Sequence, residues 1–214
     1  MLERIMRAYQ AAPPRPAVSA GRMMLAGEVG DGFITSRTNS LEGWQQAWNQ
    51  VQRGAEKAGK DPVTLYTTML TTTCLLRSGE EYNSPRVINR AGPWALMALH
   101  ALYERVQNPT AAPIAIQPIF AQYQTFIDEQ KRRLGDRYYL SLHDGHGMYL
   151  QPDEARFATP EVIRATTMTA VPEELVERLR ALERAGVKQV AFIPAAETFD
   201  EFVREVSEKV IAKF

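Results

Sequence analysis

The sequence predicts an α/β protein in which parallel strands carry helices packed outside them. Three observations support this. Strand-like and helix-like segments alternate along the chain, glycines and prolines punctuate them, and one long helical block (about 77–169) interrupts the pattern before the last strand. Alternation of this kind demands crossover connections, and these place successive strands parallel in one sheet.

The elements follow in order. Leu2 to Ala11 carries Leu2, Ile5, Met6 and Tyr9 at helical spacing, and Pro13, Pro14 and Pro16 end that helix. Ala17-Val18-Ser19-Ala20 reads as a brief buried strand feeding the turn at Gly21, and Arg22 to Val29 has helical composition. Gly30-Asp31-Gly32 reads as a tight turn into the strand Phe33 to Ser36. The clearest helix starts at a cap, Asn39 or Ser40, and sets Leu41, Trp44, Trp48, Val51 and Ala55 on one face. Gly59-Lys60-Asp61-Pro62 stops it. Thr64 to Leu76 is rich in β-branched and aromatic residues and predicts a longer strand.

Within the block, helices are expected around Ala91–Val106 and Ile119–Arg133, followed by the loop His143-Asp144-Gly145-His146-Gly147. Regularity returns at Pro172 to Ala185, with Leu175, Val176, Leu179 and Leu182 on one face and Glu174 four residues before Arg178. Gly186 ends that helix, Val187 to Pro194 forms a fourth strand, and Phe199, Phe202, Val203, Val206 and Val210 line a final helix.

Composition narrows the class. The 214 residues are 45% hydrophobic and 23% charged, with 25 basic and 25 acidic side chains, enough apolar residue for a sizeable core and too much for a disordered chain. The balanced charge, with an isoelectric point near 6.9, gives no electrostatic footprint for nucleic acid or an anionic membrane. The longest apolar stretch, Gly92 to Leu102, is too short to span a bilayer and contains His100. Nothing in the first residues marks the chain for export, and the single cysteine, Cys74, suits a reducing compartment, so a cytoplasmic location is expected.

Three segments together resemble the luciferase-like family of flavin- or deazaflavin-dependent oxidoreductases. They are Leu25-Ala26-Gly27-Glu28-Val29-Gly30-Asp31-Gly32-Phe33-Ile34, the helix end Ala58-Gly59-Lys60-Asp61-Pro62, and Val171-Pro172-Glu173-Glu174-Leu175-Val176-Glu177-Arg178-Leu179 continued by Ala185-Gly186-Val187. The Gly-Asp-Gly-Phe-Ile run is closer to the deazaflavin-using branch. The resemblance implies a TIM-type (β/α)8 barrel that binds its cofactor at the carboxyl ends of the strands. It implies the deazaflavin coenzyme F-420, preferred here, or FMN, with a small organic molecule as substrate and hydride transfer or monooxygenation as the reaction.

By the same resemblance, the cofactor's phosphate is held after the strand Ala17–Ala20, by Ser19, Ala20, Gly21 and Arg22. Glycine there lets the backbone close in, and free N–H groups at the following helix start point at the anion. Thr35 and Ser36, at the end of the next strand, add hydroxyl donors, with Arg37 behind them. The sequence departs from the family in having Gly21-Arg22 where Gly-Pro is usual. It also has Ala170-Val171 where Gly-Thr commonly precedes the Pro-Glu-Glu helix, so that helix start lacks a capping hydroxyl.

No catalytic residue is fixed by the sequence. His143 and His146 are candidates for an acid or base, since a histidine titrates near neutrality. No metal site is expected, because His100 lies on an apolar helix and Cys74 in a strand, leaving the loop pair without a third ligand. The threonines of Thr67–Thr73 alternate faces and place hydroxyls at a barrel mouth or serve β-propensity alone; Trp44 and Trp48 are expected in the core.

Length completes the prediction. A full (β/α)8 barrel takes about 250 residues, near 30 per unit, whereas these 214 residues show four strands and a long insertion. The chain is therefore expected to be one partial barrel domain over residues 1–214, corresponding to the C-terminal half of the barrel. An alternative function follows: a non-catalytic half-barrel with exposed apolar edges, acting by pairing with a second copy or a complementary half-barrel chain.

Overall fold

The computed structural model describes residues 18–36, 39–105, 108, 110 and 112–214. Its elements are α1 (Val18–Val29), β1 (Gly32–Thr35), α2 (Leu41–Lys57), β2 (Tyr66–Thr71), α3 (Pro85–Arg105), α4 (Gln117–Leu134), α5 (Tyr138–Leu142), α6 (Pro160–Thr166), α7 (Pro172–Arg184), β3 (Gln189–Phe192) and α8 (Phe199–Lys209). The predicted helix at Leu2–Ala11 lies outside the described residues.

The three strands form one parallel sheet in the order β1-β2-β3, with Phe33 opposite Thr67 and Met69 opposite Val190. Parallel strands that follow chain order without a reversal are the arrangement of a barrel wall. On one face Phe33, Met69 and Val190 meet Trp44, Val51, Leu175, Leu179, Phe202 and Val206 from α2, α7 and α8. On the other face Ile34 is 64% exposed and Tyr66 54% exposed. One face is thus covered by helices, as in a barrel wall, and the other stands open.

Local chemistry accounts for the element ends. Ser40 caps α2 by accepting from the Gly43 N–H at 3.1 Å, worth about 1 kcal/mol. Asn39, the other candidate cap, is committed elsewhere and donates to the Thr167 carbonyl at 2.8 Å. After α2 the chain reverses at Gly59, whose φ is +70°. Trp44 is buried, stacks on the half-buried Trp48 at 5.9 Å and donates to the Ala185 carbonyl at 2.9 Å, fastening α2 to the end of α7. Glu174 and Arg178 pair on the surface of α7 as their spacing predicts, and the helix starts at Val171 without a side-chain cap.

The long strand expected over Thr64–Leu76 is shorter, ending at Thr71. Past it, residues 72–76 leave the sheet and run beside 168–170: the Met168 N–H donates to the Thr72 carbonyl at 2.9 Å, and Leu75 bridges to Ala170 in parallel sense. The first helix of the insertion begins earlier than its apolar run suggests. Pro85 occupies its first turn, and Ser84 Oγ accepts from the Val87 N–H at 3.3 Å.

The insertion has a core of its own, in which Leu96, Leu99, Phe120, Tyr123, Ile127, Phe157 and Ile163 pack together. It is tied to the sheet side by a charged network. Arg90 of α3, 4% exposed, pairs with Glu205 of α8 at 2.6 Å and with Glu201. Its neighbour Arg86 pairs with Glu80 through Nε at 2.8 Å and donates to the Leu75 carbonyl at 2.6 Å. Among the described residues no helix is long and apolar enough to cross a membrane.

Candidate functional site

Because the strands are parallel, Thr35, Thr71 and Phe192 all lie at one edge of the sheet, the carboxyl edge where (β/α) folds place their sites. Thr35 is buried there on the helix-covered face, beside Met69, and Ser36 is exposed. Helix α1 is joined to β1 by Gly30 and Asp31 and packs on α2, with Gly27 against Val51 and Gly54 against Met24.

Ser19, Ala20, Gly21 and Arg22 are placed differently from expectation. The predicted strand over Ala17–Ala20 is not formed in its described part: Val18 begins α1, and Ser19–Arg22 lie in that helix's first turns rather than in a loop after a strand. The physical reason is composition, since Val18 is the one β-branched residue before a run of Ala, Met, Leu and Gly, and helix propensity carries back to it. Of these, Ser19 and Ala20 fall in the first turn, where a helix offers no intrahelical acceptor to its N–H groups.

The threonines of β2 and its extension mostly serve the backbone. Thr67 donates to the Gly186 carbonyl at 2.6 Å and Thr73 to the Met168 carbonyl at 2.9 Å. The Thr72 hydroxyl, at the carboxyl edge, is buried without a hydrogen-bond partner among the described residues. Burial pushes the Cys74 thiol up to about 11, so it stays protonated and unreactive.

The second grouping lies in the insertion. His143 and His146 occupy the predicted loop, whose glycines Gly145 and Gly147 have φ of +73° and +74°. A side chain at Gly145 would meet the Tyr149 ring at 2.6 Å, so only glycine permits this turn. The loop is fixed by Tyr149, which donates to Asp144 at 2.8 Å, and its end reaches the sheet where the Ala196 N–H, past β3, donates to the Met148 carbonyl at 3.3 Å.

His100 does not stay apart on its helix, contrary to expectation. Its Nδ1 lies 3.3 Å from His146 Nδ1, which lies 3.2 Å from His143 Nδ1. The helix face bearing His100 is apolar because it packs in the insertion core, and the loop folds over that face. Sequence reasoning also missed the carboxylates behind the rings. Glu154 Oε1 is 3.3 Å from His100 Nε2 and accepts from Tyr123 Oη at 3.1 Å, while Glu104 Oε1 is 3.1 Å from His143 Nε2. His100 and Glu104, four apart on α3, share a helical face, a signal the sequence did contain. Burial and the two neighbouring imidazoles hold His146 below the usual histidine range.

Comparison with known proteins bears on the fold and the family. Residues 10–189 match the family described as luciferase-like monooxygenase. Among solved structures, the chain is similar to the coenzyme F-420 dependent tetrahydromethanopterin reductase from Methanopyrus kandleri. The identity is 14% and the TM-score 0.52, over 94% of this chain and 49% of that one. It is also similar to an F-420-dependent secondary alcohol dehydrogenase in complex with an F-420–acetone adduct, at 16% identity and a TM-score of 0.44, over 90% of this chain and 46% of that one. The chain thus spans about half the length of the solved structures it matches.

Proposed function

As the chain belongs to the luciferase-like monooxygenase family, we propose that it works as a flavin- or deazaflavin-dependent oxidoreductase acting on a small organic molecule. Coenzyme F-420 is preferred over FMN, in line with the Gly30-Asp31-Gly32-Phe33-Ile34 run and with the F-420 dependence of the similar Methanopyrus kandleri reductase. The observation that supports the reading is the carboxyl edge of the sheet, where exposed Ser36 follows β1 beside an open sheet face bearing Ile34.

These residues fit the group. The Ser36 hydroxyl and the first-turn N–H groups of Ser19 and Ala20 suit its phosphate end, with Gly21 leaving room for the anion and the charge of Arg22 beside them. The open face, where Ile34 pairs with Thr68 and Leu70 with Ala191, suits a flat ring. When bound, such a group supplies a centre that accepts or gives two electrons as hydride. The chain's own part is to bind the polar end, to hold the ring against the sheet and to keep water from that face.

The test is a fluorescence titration of the intact chain with coenzyme F-420 and, separately, FMN. Saturable binding of F-420 near one equivalent, weakened several-fold in Ser36→Ala, is expected. Absence of binding of both up to about millimolar concentration, where affinity is only about 4 kcal/mol, overturns the reading.

The alternative, a half-barrel acting by pairing, draws on the same open face together with a groove beside it. The open face bears the exposed Ile34 and Tyr66, and beside edge strand β3 runs an apolar groove lined by Val190, Phe192, Val206, Ile211 and Phe214. Light scattering distinguishes the two: a dimer that binds neither cofactor supports pairing, and a cofactor-binding monomer rejects it.

A further inference from the structure

We propose that His100, His143 and His146 form a binding site for one divalent transition-metal ion of the zinc class, which fastens the 143–147 loop to α3. The inference is independent of the cofactor reading. One nitrogen from each of the three rings lies within 4.8 Å of the other two. Two of the three separations, 3.2 and 3.3 Å, match the spacing of nitrogens around a tetrahedral zinc. Zn–N bonds of about 2.0–2.1 Å at the tetrahedral angle put their nitrogens roughly 3.3 Å apart.

Hydrogen-bond accounting makes the case sharper. Glu154 and Glu104 are acceptors, and each faces the Nε2 of a different ring, His100 at 3.3 Å and His143 at 3.1 Å. Each carboxylate therefore selects the tautomer with the proton on Nε2, which leaves Nδ1 of both rings as a bare lone pair. Both lone pairs point at His146 Nδ1, which carries at most one proton and cannot donate well to both. Without a cation, two or three lone pairs crowd one space. With a cation, all three become ligands, and Glu154 and Glu104 take the outer role that orients metal-bound histidines and raises their basicity. Tyr123 holds Glu154 in turn, donating at 3.1 Å, and its ring stacks on His100 at 5.9 Å.

The surroundings fit this use. His100 is 3% exposed and fixed in the insertion core, while His146 is exposed and His143 half-buried, so an ion has a route in and a fourth position open to water. Imidazole ligands in a site with one open position suit zinc, copper or nickel and exclude magnesium and calcium, which demand oxygen. Because the loop is also joined to the segment after β3 through Met148 and Ala196, the ion fixes the insertion beside the carboxyl edge of the sheet.

The test uses the intact, tag-free chain after chelator treatment and dialysis. Titration with Co²⁺, read by its visible absorption, and with Zn²⁺, read by competition, is expected to show one equivalent bound. His143→Asn and His146→Asn, both on the accessible loop, each weaken it about 100-fold or more. Glu104→Gln, which leaves all three ligands in place, weakens it about 10- to 100-fold. Hydrogen exchange is expected to slow in residues 143–147 on adding Zn²⁺ to the parent chain and not to the His146→Asn variant. Far-UV circular dichroism establishes that the variants fold. No binding by the parent, or binding unchanged in both folded loop variants, overturns the proposal.

Discussion

Replacing Gly54 with alanine drives a methyl group into the backbone of the neighbouring helix. A Cβ at Gly54 would lie 1.8 Å from the Met24 carbonyl oxygen, and one at Gly27 would lie 1.9 Å from that of Val51. Since real Cβ contacts stay beyond 3.0 Å, α1 and α2 must separate by at least 1.2 Å and 1.1 Å respectively. That opens the seam where Met23 and Ala26 pack against the core containing Val51 and Ala55. Overpacking of this kind costs about 1–3 kcal/mol, toward the upper end here because the atoms struck belong to rigid backbone. The intrinsic preference of a helix for alanine over glycine returns roughly 0.5–1 kcal/mol. The net loss expected is about 1–2 kcal/mol, and at this chain length each kcal/mol moves Tm by about 2–4 °C. Gly21, in the same helix as Gly27, supplies the control: among the described residues nothing lies within 4 Å of where its Cβ would stand. Gly21→Ala should therefore raise Tm by about 1–4 °C, since only the propensity gain remains. Thermal melts followed by circular dichroism, with urea titrations to check the slope, read all three variants. If Gly27→Ala and Gly54→Ala prove neutral or stabilising, the close helix crossing is wrong.

Two further predictions concern the charged network between the insertion and α8. Arg90→Ala removes the nearest partner of the largely buried Glu205, at 2.6 Å, and leaves it Arg86 at 3.7 Å and Arg77 at 3.9 Å; the loss in urea denaturation should be about 1.5–3 kcal/mol, and a loss below about 1 kcal/mol counts against the pair's burial. The Glu80 carboxyl is held down to about 2, first by its hydrogen bond from Arg86, then by the Arg77 N–H and Ser84, against the opposing effect of burial. The folded chain thus binds this proton less readily than the unfolded one. The stabilisation is complete above the ordinary carboxylate range and is lost as pH falls from about 4.5 toward 2. Allowing for solvent screening it amounts to about 1–2 kcal/mol, so Glu80→Gln should lower Cm at pH 7 and shrink the difference from the parent near pH 3.

Much of the fold is legible because its causes are local. The 3.6-residue period at Leu41–Ala55, the Ser40 cap and the Gly59 reversal fix α2 within a residue or two, and the Pro172 start with Leu175, Val176, Leu179 and Leu182 does the same for α7. Of the positions assigned to a cofactor, the local structure was half legible. Thr35 closes β1 and Ser36 follows it because β1 is a short alternating strand after a glycine turn. Ser19–Arg22 lie in a helix and not after a strand, because Ser19, Ala20 and Gly21 are small residues that satisfy either until the rest of the chain chooses.

By itself, then, the sequence determined the alternation of elements, the parallel sense of the sheet that alternation demands, and the family. Periodicity, caps and turn residues act over a few positions and are written in order along the chain. Only the tertiary structure decided where β2 ends, since Thr72–Leu76 are as β-prone as Tyr66–Thr71 and leave the sheet for the 168–170 segment. It alone brought His100 to His143 and His146. Forty-odd residues separate them, and their meeting depends on an apolar helix face with a glycine loop folded over it, which no local pattern records.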